Sequence, residues 1–215
     1  MRALAPAFEP AGLSSLDELA VGVAWLDGCD PLVRARLEEA AAHFPRASAV
    51  EFPHSGGADY AVFMREAADV HRGLFPEHAE EYGDNVRTKL ERCFAVSDGE
   101  VEAGVRARAE YRHRCEDALG ELELLVTPTI GFVPPPDDVD ELTIRERAIR
   151  FTYPFDSLGW PALALPCGPA EDGLAASVQL VGRRGEDALV LAAGSLLASL
   201  VRGTAGDSAM PKTRE

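Results

Sequence analysis

Leu19 to Leu26 (LAVGVAWL) is an unbroken apolar run of strand length, and Asp30-Pro31 follows it closely. Aspartate before proline is a strong helix start. The carboxylate can cap free amides, and the proline ring presets the first helical turn. Val33, Leu37, Ala40, Ala41 and Phe44 then recur at helical spacing, and Pro45 ends the run. Ala47 to Phe52 reads as a second strand. Strand, helix, strand at this spacing is one unit of a mostly parallel sheet, so the expected fold class is α/β.

The rest of the chain extends this pattern. Residues 58 to 121 read as helical. Tyr60, Phe63, Met64, Ala67 and Val70 form one apolar stripe there, and Val86, Leu90, Cys93 and Phe94 form another. Ser97-Asp98-Gly99-Glu100 is a capping box, and Gly120 is a helix terminator. Glu77, Glu80, Glu81 and Asp84 read as a solvated face. Leu122 to Thr129, Pro161 to Pro166 and Ala176 to Val181 are strand candidates, with Gly168, Pro169 and Gly173 turning between the last two. Pro134 to Glu141 is an exposed acidic loop. Gly185-Glu186-Asp187 opens a helix, with its acids at the positive end of the dipole. The expected organisation is an irregular lead-in over 1–18, one α/β domain over 19–203 and a frayed tail over 204–215.

Composition narrows the function classes. The 215 residues carry 21 Lys and Arg against 36 Asp and Glu, a net charge of -15. That balance opposes sequence-independent binding to nucleic acid or to an anionic membrane, both of which need clustered basic residues. The longest apolar run, Ala188 to Val201, is too short to span a bilayer and reads as a buried helix. The N-terminus makes a poor signal peptide. Cys29, Cys93, Cys115 and Cys167 form no CxxC pair and read as buried thiols of a reducing compartment, so a cytoplasmic location is expected.

Motifs for the common chemistries are absent: there is no HExxH, Walker loop, GxGxxG after a strand or GxSxG elbow. His113 and Cys115 lie two apart on a helix and face different directions. His54-Ser55-Gly56-Gly57 reads as a surface turn, and His43 and His71 as partly exposed helix residues. Cys167, between Pro166 and Gly168 at a strand end, reads as structural. No metal and no cofactor are expected.

A long pattern stands out against these negatives. It comprises Thr152, Pro154-Phe155-Asp156, Gly159, Pro161-Ala162, Leu165-Pro166-Cys167-Gly168, Gly173-Leu174 and Gln179-Leu180-Val181-Gly182, and runs on into Asp187 to Ala192. It resembles the C-terminal part of the amidase signature family, which commonly reads T-x-P-F-N-x-x-G-x-P-A-x-S-x-P-C-G, a turn, then G-L-P-V-G-L-Q-L-V-G. Leu124 to Thr129 is similar to that family's D-x-L-L-x-P-T strand. The resemblance covers about residues 19 to 201. It implies the C-terminal half of the amidase-signature fold, a mixed β-sheet flanked by helices. It also implies amide hydrolysis, and a substrate-pocket wall formed by Thr129, Phe151, Thr152, Tyr153, Phe155 and Asp156. Read as residues, Thr152 to Gly159 is a loop feeding a buried strand. Phe151, Tyr153, Phe155 and Trp160 give it apolar bulk, and Thr152 and Asp156 give it polar groups, a mix that suits a small ligand. The competing reading has the loop merely pack the sheet edge, with Gln179 a hydrogen-bonded core residue.

The departures from the family pattern carry equal weight. In the family, a serine activated through a second serine and a lysine attacks the amide, and a Gly/Ser-rich loop supplies amides to the oxyanion. No such Gly/Ser-rich segment occurs here. The two lysines, Lys89 in a helix and Lys212 in the tail, are not candidates. Asp156 stands for the usual Asn, Ala164 for the usual Ser and Ala175-Ala176-Ser177 for P-V-G. Ile149 stands where the glutamine-dependent transamidation branch has an Asp. The expectation is an amidase C-terminal part that is inactive alone. Its partner would be an N-terminal amidase half on a separate chain or a second copy, and its ligand an amide or carboxylate. A non-catalytic binding or scaffold protein is the alternative, and a stand-alone hydrolase using Ser55 or Cys167 is an outsider. Half of such a sheet leaves an apolar edge, which predicts pairing with another chain.

Overall fold

The computed structural model describes residues 11–207, with side chains to residue 202. It divides into two compact units. One comprises Met1–Phe52, Ala118–Val139 and Glu146–Glu215, and the other Pro53–Asp117 and Asp140–Arg145.

The first unit holds a five-stranded sheet in the order β2-β1-β3-β5-β4. The strands are β1 (Ala20–Val23), β2 (Arg46–Ala49), β3 (Leu124–Pro128), β4 (Ala162–Pro169) and β5 (Ala175–Gly182). β1 pairs in parallel with β2 and with β3, whereas β5 runs antiparallel to both β3 and β4. The expected mixed α/β sheet is therefore present. Helix α1 (Pro31–Ala41) links the parallel pair β1 and β2. Its Val33, Leu37 and Ala40 pack with Val21, Leu124, Val126, Val178 and Leu180. From α8 (Asp187–Asp207), Val190, Ala193 and Leu197 join the same core. Period-two alternation along the strands puts these residues on one face of the sheet.

The second unit is helical, with α2 (Tyr60–His71), α3 (Phe75–His78), α4 (Asp84–Phe94) and most of α5 (Asp98–Leu119). The Ser97 box forms as expected: the Glu100 N–H donates to Ser97 Oγ, and the Ser97 N–H donates to Glu100 Oε2 at 2.8 Å. Gly120 ends α5 with a φ of +51°.

Several expectations need correction. Residues 152–159 are not a loop, because Tyr153–Leu158 forms a short helix, α7. Pro154 presets its first turn and Gly159 terminates it at a φ of +65°. The strand after it is not buried: β4 is an edge strand whose Ala162, Ala164 and Pro166 are exposed. β2 stops at Ala49 instead of reaching Phe52. Asp30 does not cap α1 with its carboxylate. Glu171, from the turn between β4 and β5, accepts the Leu32 N–H instead, at 2.7 Å. On α2 the buried residues are Val62 and Ala68, while Phe63 and Val70 of the expected stripe are exposed. Val62 packs where Gly104 of α5 leaves room for it: a Cβ there would meet the Val62 side chain at 2.9 Å. On α4, Leu90 and Cys93 are buried and Val86 is exposed. Glu141–Ile149 forms a further helix, α6, beyond the expected loop; Asp140 starts it by accepting the Leu142 N–H at 3.0 Å. Residues 1–10 of the expected lead-in, and 208–215 of the expected tail with Lys212, lie outside the described residues.

Candidate functional site

All six residues expected to line a pocket belong to the sheet-bearing unit. They are organised by the face of the sheet opposite α1 and α8. On β3 and β5, Leu124 and Val126 face the core cluster, so Leu125 and Thr127 face away from it, as do Val181 and Gln179 across the pair. Two polar rungs lie on this side. Gln179 stands opposite Thr127, and its Nε2 donates to Thr127 Oγ1 at 3.0 Å. Just beyond the end of β3, the Thr129 N–H donates to Ser177 O at 3.2 Å, and the Thr129 and Ser177 hydroxyls are 3.0 Å apart.

Gln179 ties a second element to this face. Its Nε2 also donates to the Phe151 carbonyl, at 3.0 Å. Gln179 is 3% exposed and Thr127 fully buried, so these bonds form away from water and replace solvation the groups have lost. Phe151 is thereby fixed, and α7 starts two residues later.

Aromatic rings fill the space beneath α7. Trp25 lies 5.3 Å from Phe155, 6.1 Å from Phe151 and 5.7 Å from Phe52, centroid to centroid. Phe52 also meets Trp160 at 6.2 Å. The Trp25 indole N–H donates to Phe52 O at 2.9 Å. Trp25 has a left-handed backbone, with a φ of +66°, a conformation that costs an L-residue roughly 1–2 kcal/mol. The ring contacts and the indole bond offset that cost. Gly28 and Gly131 close the nest from the other side. A Cβ on Gly28 would meet the Phe151 ring at 2.6 Å, and one on Gly131 would meet the Gly28 carbonyl. The Asp30 N–H donates to Gly131 O at 2.7 Å and holds the two turns together.

The expected residues therefore fall into two groups. The Phe151 and Phe155 rings are each 1% exposed and belong to the nest. Thr129, Thr152 and Tyr153 are half-buried and Asp156 is exposed. The protein packed around the Asp156 carboxyl still raises its pKa above the ordinary carboxylate range, because burial disfavours the charge. Cations border the nest: Arg150 lies over the Phe151 ring at 5.5 Å and Arg147 over Phe132 at 4.6 Å. Trp25, Phe52 and Ser177 were not singled out from sequence. The Trp25-Leu26-Asp27-Gly28 segment after a strand, with its turn-forming Asp-Gly, was the available signal for the first.

The residues weighed for other chemistry have partners or surroundings of their own. Cys167 is buried, and desolvation pushes its thiol up to about 11, as it does for Cys29 and Cys115. Thiols so shifted are poor nucleophiles at neutral pH. Ser55 Oγ accepts the Gly57 N–H at 3.3 Å within its turn. His113 is exposed and lies 3.6 Å from Asp117, while Cys115 is fully buried, so the two diverge as expected. Lys89 is ion-paired with Glu141. Among the described residues no three His, Cys, Asp or Glu side chains cluster as a metal site, and no helix is long and apolar enough to cross a membrane.

Comparison with known proteins agrees with this architecture. A solved amidase structure superposes with a TM-score of 0.76 at 28% identity, over 87% of this chain and 47% of that one. AmiD of Mycobacterium tuberculosis is 25% identical over 134 residues, 60% of this chain and 28% of that protein. A glutamyl-tRNA(Gln) amidotransferase subunit of Haloarcula marismortui is 26% identical over 170 residues, 75% of this chain and 38% of that protein. The chain thus spans less than half the length of each of these relatives. The sequence profile of the amidase family matches residues 4–191, nearly the whole chain, and the chain therefore belongs to the amidase (amidase signature) family.

Proposed function

We propose that these residues form the non-nucleophilic part of an amide hydrolase, supplying sheet strands and one wall of the substrate pocket. The wall comprises Thr129, Thr152, Tyr153 and Asp156 at its accessible surface, with Phe151 and Phe155 beneath as rigid support. The observation that carries this reading is the Gln179 bridge. A buried amide ties the Phe151 carbonyl to Thr127 on the sheet and so orders the start of α7, while the Thr129 and Ser177 hydroxyls, 3.0 Å apart, bond to each other and not to that amide. Hydroxyls and a carboxyl on a rigid apolar base suit a small amide or carboxylate ligand.

The attacking serine, its serine-lysine relay and the oxyanion amides come, on this reading, from outside these 215 residues. The Haloarcula relative is one subunit of an amidotransferase, which supports an assembly of more than one polypeptide. Ammonia release from aliphatic and aryl amides tests the proposal. The chain alone is expected to give none, and turnover is expected when it is mixed with a polypeptide carrying the Gly/Ser-rich segment and its lysine. Turnover by the chain alone, abolished by a point change within it, overturns the reading.

A second reading, a binding protein without chemistry, is favoured by Asp156 in place of the family's usual Asn. It predicts thermal stabilisation by carboxylates or amides without turnover even in that mixture.

A further inference from the structure

Three aspartates directly precede a glycine: Asp27, Asp98 and Asp172. An Asp-Gly pair carries its own chemistry. The glycine nitrogen can attack the aspartate Cγ, because no Cβ on the glycine crowds the approach. In a folded chain the rate depends on how freely the peptide between the two residues turns. The three pairs differ in that freedom.

Gly28 is clamped. A Cβ there would meet the Phe151 ring at 2.6 Å, its N–H donates to Trp25 O at 3.2 Å, and its carbonyl oxygen lies beside Gly131. Arg34 pairs with the Asp27 carboxylate at 2.7 Å. Asp98 and Gly99 are the first two residues of α5, whose ladder of backbone bonds fixes the plane between them. Arg65 pairs with the Asp98 carboxylate at 2.8 Å.

Asp172 and Gly173 lie in the turn between β4 and β5, and both are exposed. Among the described residues no hydrogen bond or ion pair holds the Asp172 carboxylate. Nothing lies within 4 Å of a Cβ built on Gly173. Asp172 has a φ of +54° and Gly173 a φ of +75°, two left-handed residues in succession. At such a φ the aspartate Cβ crowds the following carbonyl, so the turn holds Asp172 under strain. The reacting nitrogen is restrained by one backbone bond, from the Gly173 N–H to Ala170 O at 3.1 Å, and a bond in an exposed turn opens readily to water.

We infer that Asp172 is a site of spontaneous isomerisation to isoaspartate. The Gly173 nitrogen bonds to Asp172 Cγ, the Cγ–hydroxyl bond breaks, and the nitrogen's proton leaves with that oxygen as water. Water then adds to one carbonyl of the succinimide ring. Opening at the former side-chain carbonyl restores aspartate. Opening at the main-chain carbonyl leaves the backbone running through Cβ and Cγ, one carbon longer and unchanged in composition.

That extra carbon sits next to Glu171. The Glu171 carboxylate accepts the Leu32 N–H at 2.7 Å at the start of α1, and its carbonyl accepts the Leu174 N–H at 3.0 Å across the turn. A longer backbone between Glu171 and Leu174 breaks the second bond and draws Glu171 away from the first. α1 then loses the cap that this turn supplies.

Incubation in heavy-oxygen water at neutral pH, folded and in concentrated urea, followed by peptide mass mapping, tests the inference. Each ring opening leaves one heavy oxygen at the aspartate concerned, and an endoproteinase specific for aspartate stops cutting where isoaspartate has formed. Incubation runs until the urea sample is labelled at all three pairs. In the folded chain Asp172 is expected to label about tenfold faster than Asp27 or Asp98, whereas in urea the three rates converge. The Leu32 amide is expected to exchange with deuterium faster in the aged chain than in the fresh one. Asp172→Glu, whose longer side chain closes the ring poorly, keeps its fresh exchange rate throughout. Folded-state labelling that is equal at the three pairs, or faster at Asp27 or Asp98, overturns the inference, as does an unlabelled Asp172. An unchanged Leu32 amide after Asp172 has converted overturns the link to α1.

Discussion

The Gln179 side-chain nitrogen lies 3.0 Å from the Phe151 carbonyl oxygen, and this bond joins the central antiparallel strand to the segment that begins α7. The same nitrogen reaches Thr127, so one amide serves two buried acceptors. Gln179→Leu is close enough in volume to pack but removes both bonds. Urea denaturation is expected to show a loss of roughly 2–4 kcal/mol. A loss below about 0.5 kcal/mol would show that water or a rearranged partner satisfies these groups.

Gly131 sits where a Cβ collides with the Gly28 backbone carbonyl and touches the Phe151 ring at 3.0 Å. Backbone cannot yield as a flexible side-chain end can. Gly131→Ala is therefore expected to cost about 3 kcal/mol, whereas Gly12→Ala, with open space around it, costs little. Thermal melts of the two variants make the comparison.

Burial raises the pKa of Asp156. For an acid shifted in this direction, the favourable contribution to stability is fully present below the ordinary carboxylate pKa and is lost as pH rises through the raised one. Asp156→Asn removes the ionisation. The variant is expected to match the parent near pH 3.5 and to exceed it at pH 7, by less than about 1 kcal/mol because water screens an exposed carboxylate. Urea midpoints at the two pH values measure this. Equal midpoints at pH 7 would place the carboxyl in bulk-like solvent.

Desolvation places Cys29, Cys115 and Cys167 at about 11 and raises Cys93 too. At pH 8 the thiolate fraction of the first three is on the order of a thousandth. Native protein treated with a disulfide reagent at pH 8 is expected to release chromophore slowly at all four thiols, and rapidly once unfolded. A single fast thiol in the native protein would expose an activated cysteine that contradicts the assignment of all four as structural.

Local signals in the chain were enough for the strand-helix-strand start, the Ser97 box, the Gly120 stop and the β4–β5 hairpin, because each depends on neighbouring residues in sequence. The extended pattern from Thr152 to Ala192 likewise carried the family. What sequence could not supply was how those pieces face one another. Tyr153 to Leu158 has turn-forming proline and glycine at its ends and reads as a loop, yet it coils into a helix over a nest of rings contributed from 25, 52 and 160. Asp30 carries the residue type of a cap, but Glu171, far along the chain, reaches the Leu32 amide first. α2 buries Val62 and Ala68 and leaves Phe63 and Val70 of its apolar stripe exposed. Spacing along a chain determines which elements form, since propensity and capping act over a few residues. The burial of a given face, the partner of a given polar atom and the exposure of Ala162, Ala164 and Pro166 on β4 are decided when distant segments compete for the same volume, and only the folded arrangement resolves that competition.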